Sequence, residues 1–187
     1  MSTPRPVDPV KYFAGVLWAE SRAREEAVAR LVAAFGAVDR ASADVPFDVT
    51  DYYAPEMGAG LHRRLVSFAV LRPPEEIREA KLLCNRIEGE LARDGGRTAN
   101  LDIGYLDHNK VVLASVKAAG QKIHLGEGVY ADLVARYRGG AYVPFEWTFP
   151  DFKDGRYDDD LLEMRRLYLE QRRRGGEEVR GKGERRK

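Results

Sequence analysis

Polar side chains gather in two stretches that follow strand-like runs. In the first, PFDVTDYYAPEMG, Asp48 and Asp51 lie three residues apart, with Thr50 and Tyr52 close by. Acids at the end of a strand hold a hard cation through oxygen ligands or orient the hydroxyl groups of a ligand. The alternative is that these side chains satisfy backbone donors in a turn. The stretch is therefore either a ligand site or a polar turn.

The second stretch is NLDIGYLDHNKVVLASVK. Asp102 follows two strand-like residues, and Gly104 would let the chain leave the strand sharply, so residues 105–110 are expected to form a polar loop. Lys110 and Lys117 flank the next strand, and a lysine can neutralise phosphate oxygens. The alternative is a hairpin turn with solvated charges, because lysine is common at strand ends.

The two stretches would make one metal–phosphate site if they faced the same end of a sheet. Gly126 and Gly128 in LGEGVY would then let the backbone approach a ligand. This combination predicts a pocket between the 47–58 loop, the 100–110 loop and the 124–130 segment.

The common catalytic signatures are missing from the sequence. It contains no GxxxxGK[ST], HExxH, CxxC or GxSxG motif, and no GxGxxG follows a strand. Its three histidines, His62, His108 and His124, fall in different predicted elements without the spacing of metal ligands. These absences exclude the common nucleotide-binding and hydrolase signatures and leave open whether any reaction is catalysed.

Composition predicts one self-folding domain. Of 187 residues, 44% are hydrophobic and 33% are charged, which is typical of a globular protein with a charged exterior. Cys84 is the only cysteine and is expected to be a small buried hydrophobe. The start, MSTPRPVDP, does not look like a secretory signal, and no run is long enough to span a membrane. We therefore expect a cytoplasmic protein without a membrane partner.

The end of the chain is strongly basic. The stretch QRRRGGEEVRGKGERRK holds eight basic and three acidic residues, which predicts a domain over residues 1–172 and a disordered basic tail over residues 173–187. Such a tail could contact RNA. The alternative is a solvated terminus, because no aromatic residues alternate with the charges.

Hydrophobic periodicity predicts an α+β fold. The predicted order is a buried strand at 10–19, a helix from Ser21 to Phe35, extended segments at 40–49 and 62–71, a helix from about Glu75 to Leu91, and an extended segment at TANLDI. This βαββαβ order is that of a ferredoxin-like core. Strand-like runs follow, with a hairpin at Arg138-Gly139-Gly140, and then a closing helix with acids first and arginines last. We therefore predict a core extended by antiparallel strands and a closing helix.

Several motifs, in their order and spacing, resemble one known family. FDVTDYYAPEMG, NLDIGYL, KVVLASVK, IHLGEGVYADLVARY and WTFPDF together resemble the bacterial and archaeal family called domain of unknown function 4416, over about residues 5–172. Some members of that family are labelled GTP-binding proteins, although this chain has no NKxD motif. It departs from the family in having Phe149 and Phe152 where tyrosines are expected, and His124 in place of a tyrosine.

Together these observations predict a protein that binds a phosphate-bearing small ligand such as a nucleotide, with GTP implied only by the resemblance. The predicted ligand-binding residues are Asp48, Asp51, Tyr52, Asp102, Tyr105, Lys110, Ser115, Lys117 and His124. Asp48, Asp51 and Asp102 are assigned to Mg²⁺ or ligand hydroxyls, and Lys110 and Lys117 to phosphate. The alternative is a module that binds RNA or another protein and takes no small ligand.

Overall fold

The structure, a computed structural model, describes the backbone of residues 2–184 and the side chains of residues 2–175. It is an α+β fold in which nine strands form one sheet. The strands are β1 (Val10–Trp18), β2 (Val38–Ala41), β3 (Val45–Pro46), β4 (His62–Arg72), β5 (Ala99–Leu106), β6 (Lys110–Ser115), β7 (Ile123–Gly126), β8 (Val129–Arg138) and β9 (Ala141–Pro144). The helices are α1 (Ser21–Phe35), α2 (Ala54–Met57), α3 (Ile77–Leu91), α4 (Pro150–Lys153) and α5 (Asp158–Glu184).

The strands pair in the order β2-β4-β1-β5-β6-β8-β7, with β3 added beside β4 and β9 beside β8. Every pairing between these strands is antiparallel. The hairpin predicted at Arg138-Gly139-Gly140 is confirmed, since it joins β8 to β9.

Strand β1 lies at the centre of the fold, and all nine of its residues are buried. Tyr12, Ala14 and Val16 pack in the core under α1 and α3, whereas Phe13 packs in a second core with α5. Because successive side chains point to opposite faces of a strand, a strand covered on both sides must be apolar throughout. The prediction of a buried central strand is confirmed.

Helices cover both faces of the sheet. The apolar stripe predicted for α3 is confirmed by the burial of Ile77, Ala80, Cys84, Ile87 and Leu91. On the opposite face, the predicted closing helix is confirmed as α5, which runs to Glu184 and so includes residues 173–184 of the segment predicted to be a disordered tail. Residues 185–187 of that segment lie outside the described residues.

The one charged residue inside β1, Lys11, ties three elements together. Its Nζ donates to Asp39 Oδ2 at 2.6 Å, to the carbonyl of Phe68 at 3.0 Å and to Gln171 Oε1 at 3.1 Å. Burial lowers the pKa of Lys11, and its contacts with Asp39 oppose that shift. The cluster fixes α5 against the sheet through side-chain hydrogen bonds.

Two local predictions were wrong in detail. The extended segment at 40–49 is instead two short strands, β2 and β3, which pair with β4 one after the other. Residues 105–110 are not one loop, because Tyr105 and Leu106 belong to β5 and the turn is shorter. Gly104 therefore lies inside a strand rather than at its exit.

Candidate functional site

The sheet opens between β5 and β6. Their pairing comprises only Gly104 with Leu113, Tyr105 with Val112, and Leu106 with Val111. A Cβ built on Gly104 would lie 2.4 Å from the carbonyl oxygen of Val112, so glycine permits the close approach of the two backbones. Towards the beginning of β5 and the end of β6, the two strands are no longer paired.

A cavity of about 530 Å³ lies at this opening, which is within the range of about 300–1,000 Å³ typical of small-molecule sites. Its aromatic lining consists of Phe47, Tyr52, Tyr53 and Phe149. Its cationic residues are Arg63, Lys81, Arg97 and Lys117, and its acidic residues are Glu88, Asp102, Asp132 and Asp151. The wall is therefore rich in charge but balanced in sign.

Arg63 lies at the centre of the buried part of this wall. Its Nη2 donates to Asp102 Oδ2 at 2.6 Å, and its Nη1 donates to Asp151 Oδ2 at 2.8 Å. Burial by itself lowers the pKa of Arg63, but the charges of Asp102 and Asp151 raise it overall. The guanidinium is thus a permanent cation held between two carboxylates from distant parts of the chain.

The alternation of β5 directs its polar residues to the cavity. Leu101 and Ile103 belong to the core under α1 and α3. Asn100 and Asp102 alternate with them, so their side chains lie on the opposite face, where Arg63 meets Asp102. A strand with one apolar face thus supplies two polar groups to the site.

Two side chains of α3 take the place of the strand that is missing beside Leu101. The N–H of Leu101 donates to Glu88 Oε1 at 2.6 Å, and Lys81 Nζ donates to the carbonyl of Leu101 at 2.8 Å. Burial raises the pKa of Glu88, and the charge of Lys81 opposes that rise. The backbone at the opening therefore keeps its hydrogen bonds without a neighbouring strand.

Arg97 orients Asn100 in the wall. Its Nη1 donates to Asn100 Oδ1 at 2.8 Å, and its Nη2 donates to Glu56 Oε2 at 2.6 Å. Because a guanidinium only donates, the amide oxygen of Asn100 must face Arg97 and its Nδ2 must face elsewhere.

Lys122 fixes the loop between β6 and β7 at the other side of the cavity. Its Nζ lies 3.4 Å from Asp132 Oδ2 and donates to Ser115 Oγ at 2.9 Å and to the carbonyl of Lys117 at 3.1 Å. The side chains of Lys122 and Asp132 are both buried. This buried ion pair holds Lys117 at the mouth, where its Nζ lies 3.7 Å from the ring centroid of Tyr52.

Four buried polar atoms of the lining residues make no hydrogen bond with the residues that the structure describes. They are Arg63 Nε, Asn100 Nδ2, Asp132 Oδ1 and Asp151 Oδ1. Two are donors and two are acceptors. Buried polar groups are usually paired, and four of the eight unpaired ones among the described residues belong to this one wall.

Four of the residues predicted from the sequence line the cavity, namely Tyr52, Asp102, Ser115 and Lys117. The other five do not. Tyr105 stacks on Tyr12, Lys110 pairs with Asp107, and exposed His124 packs against Tyr130.

The acids assigned to magnesium do not lie together. Asp48 is exposed and pairs with Arg156 at 3.0 Å, and Asp51 is also exposed, whereas Asp102 is held by Arg63. Within the described residues, no group of three or more His, Cys, Asp or Glu side chains is arranged to hold a metal ion.

The sequence did not predict four of the residues that line the cavity, namely Arg63, Asn100, Asp132 and Asp151. Arg63 lies in the apolar run HRRLVSFAVL, where a buried charge requires a partner, and that was the available signal. Asp151 lies in WTFPDF, a motif that entered the prediction only through the family resemblance. Their proximity arises from the fold, since they are 88 residues apart in the chain.

The fold and the cavity define an α+β protein whose antiparallel sheet opens around a wall of paired charges. The model of one family, Domain of unknown function (DUF4416), matches residues 8–168, so the chain belongs to the DUF4416 family. No curated protein and no solved structure matches the chain. Among the described residues, no helix combines the length and the apolar character needed to cross a membrane.

Proposed function

We propose that the protein binds a phosphate-bearing small ligand, such as a nucleotide, in the cavity between β5 and β6. The observation that carries this proposal is a cavity of about 530 Å³, four of whose lining residues have buried polar atoms without hydrogen-bond partners. Leaving such groups unpaired costs about 1–3 kcal/mol each. A ligand with complementary donors and acceptors would recover that free energy.

The aromatic lining favours a ligand with a planar ring. Tyr52 is 60% exposed and Phe149 is 48% exposed, although both are large aromatic residues. Stacking of a base on an aromatic side chain contributes about 1–3 kcal/mol. Because Lys117 covers the ring of Tyr52 at the mouth, the lining rings of Phe47 and Tyr53, beside Arg63 and Arg97, are the ones suited to hold a nucleobase or a similar heterocycle.

Lys117 is the lysine positioned to meet a phosphate. It lines the cavity and is exposed, whereas Lys110, the other lysine assigned to phosphate, pairs with Asp107 near a different, smaller cavity. Magnesium stays a prediction, and Asp102 alone among its three assigned acids lines the cavity.

We also infer that the first half of the chain is a ferredoxin-like βαββαβ core. The neighbour order β2-β4-β1-β5 supports this, with its antiparallel pairings and with α1 and α3 in a common core on one face. Many unrelated functions use that layout, so it contributes nothing to the choice of ligand.

The proposal is tested by thermal shifts of the full chain against nucleotides and sugar phosphates, with and without Mg²⁺. A ligand present at about 100 times its Kd should add about 2.7 kcal/mol to the free energy of unfolding. Asp102→Asn should remove the thermal shift caused by the ligand, because it weakens the ion pair that holds Arg63 in the wall of the cavity. Asp51→Asn is the matched control, since Asp51 is exposed and does not line the cavity, and its shift should equal that of the wild type.

Two results would contradict the proposal. One is that no compound in the panel shifts the melting curve. The other is that the shift survives Asp102→Asn but disappears in Asp51→Asn. Binding of RNA that weakens steeply with salt and vanishes on deletion of residues 173–187 would instead support the RNA-binding alternative.

A further inference from the structure

We infer that the ligand lies with a planar hydrogen-bonding ring, such as a nucleobase, in the inner part of the cavity and with its phosphate at the mouth beside Lys117. This inference rests on the proposed function and adds which part of the ligand each wall recognises.

The cations of the inner wall, Arg63 and Arg97, already have carboxylate partners. Arg63 lies between Asp102 and Asp151, at 2.6 Å and 2.8 Å. Arg97 contacts Glu56 at 2.6 Å and Glu88 at 3.5 Å. These two cations already face four carboxylates, so the inner wall offers a phosphate no net attraction.

The unpaired inner atoms require a ligand that both accepts and donates. Asn100 presents Nδ2 as a donor, because Arg97 occupies its oxygen. Asp132 presents Oδ1 as an acceptor, because Lys122 lies beside Oδ2. A phosphate monoester at neutral pH is mostly a dianion with acceptor oxygens and cannot donate to Asp132. The edge of a nucleobase carries donors and acceptors side by side and can satisfy both residues.

The mouth of the cavity, unlike the inner wall, has a positive charge without a carboxylate partner. Lys117 forms no salt bridge with any side chain that the structure describes, and Lys122 holds its backbone carbonyl in place. An exposed ammonium group without an acidic partner attracts phosphate, and the remaining phosphate oxygens stay in solvent. The charge gradient from the inner wall to the mouth therefore orients the ligand.

The direction in which one substitution changes the affinity distinguishes a ligand with its ring innermost from one with its phosphate innermost. Asp132→Asn removes a negative charge while keeping the shape of the side chain. If the ring is innermost, this variant loses an acceptor, and we expect nucleosides, which carry no phosphate for Lys117, to bind about tenfold more weakly and nucleotides at least as much more weakly. If the phosphate were innermost, the variant would remove repulsion and nucleotides would bind more tightly.

Isothermal titration of the full chain with nucleosides, their mono- and triphosphates, and inorganic tripolyphosphate measures these effects. We expect Lys117→Ala to weaken nucleotides about tenfold and to leave nucleosides unchanged. We also expect the wild type to bind the nucleoside of its preferred nucleotide and to bind tripolyphosphate weakly. This wild-type comparison keeps the inference testable if Asp132→Asn does not fold.

The outcomes distinguish the inference from the proposed function. If no nucleoside, nucleotide or phosphate binds, the proposed function fails and the inference fails with it. If nucleotides bind but Asp132→Asn strengthens them, or if tripolyphosphate binds the wild type as tightly as the triphosphate and nucleosides do not bind, the orientation alone is overturned.

Discussion

Gly15 of β1 lies directly against the guanidinium group of Arg63, which crosses it from β4. A Cβ built on Gly15 would lie 2.7 Å from Nη2 and 2.8 Å from Nε of Arg63. Because Asp102 and Asp151 hold that guanidinium, it cannot move aside without breaking an ion pair. The absence of one side chain in the central strand therefore makes room for the buried charge cluster.

Gly15→Ala should consequently destabilise the protein. We expect a loss of about 1–3 kcal/mol in the free energy of unfolding, the usual range for an overfilled core site. Urea denaturation measures the change. Gly89→Ala in α3 is the control, because no atom lies within 4 Å of its added Cβ, and it should stabilise by about 0.5–1 kcal/mol. Equal stability of Gly15→Ala and the wild type would show that Arg63 is not tightly held.

Arg63→Met should cost more than Gly15→Ala. It leaves two carboxylates without their cation, and the side chain of Asp151 is only 1% exposed. Breaking a buried ion pair by removing one partner typically costs about 3–5 kcal/mol. Replacing Asp102 and Asp151 by asparagine in the same variant should restore part of that loss.

The matched control for Arg63→Met is Arg22→Met, because Arg22 forms an exposed ion pair with Glu26. Its effect on the free energy of unfolding should be far smaller than that of Arg63→Met, because solvent screens an exposed ion pair. The interpretation of the cluster would fail if the two arginine variants unfolded at the same urea concentration.

Glu88 should make stability depend on pH in a predictable direction. Burial raises the pKa of its folded-state carboxyl above the unfolded value, with Lys81 opposing. The stability linked to the protonated acid is therefore fully present below the unfolded pKa and is lost as pH rises through the folded pKa. Glu88→Gln removes that loss, so its stability relative to the wild type should increase between pH 4 and pH 8.

Urea denaturation across that pH range measures the difference. Glu90→Gln is the control for the loss of one acidic charge, since Glu90 is exposed on the same helix and pairs with Arg30. A constant difference between Glu88→Gln and the wild type would indicate that the buried carboxyl keeps one protonation state over the whole range.

Cys84 should be unreactive in the folded protein. Burial raises the pKa of its thiol to about 12, and the side chain is inaccessible in α3. Because the thiolate is the reactive species, a thiol reagent at pH 8 should label the native chain far more slowly than the chain in 6 M urea, a concentration at about which many small domains unfold. Rapid labelling without denaturant would place Cys84 near the surface.

The hydrophobic periodicity of the sequence predicted those strands and helices that bury a continuous set of apolar residues. β1, α3 and α5 each carry an apolar period that matches their geometry, and each is found where the period indicates. The cavity could not be predicted in the same way. It depends on where β5 and β6 stop pairing, beyond Gly104 and Leu113, which is a relation between separate elements.

The predicted site residues likewise fall into two groups, those that lie next to the opening between β5 and β6 and those that do not. Tyr52, Asp102, Ser115 and Lys117 reach the cavity because they lie next to the opening. Lys110 shares β6 with Ser115 but lies at its opposite end, so membership in one polar stretch does not place two residues together. Asp48 does not line the cavity although its neighbours Phe47 and Val49 do, and its carboxylate pairs with Arg156, far along the chain.

The hydrogen bond from Leu101 to Glu88 makes one strand amide depend on a helix. Its acceptor is a side chain of α3, 13 residues earlier in the chain, whereas strand amides ordinarily donate to a neighbouring strand. Amide hydrogen exchange at Leu101 should therefore follow the separation of α3 from the sheet. Exchange at Tyr105, whose amide faces Val112 of β6, should follow the opening of the sheet itself, so the two amides report separately on helix docking and strand separation.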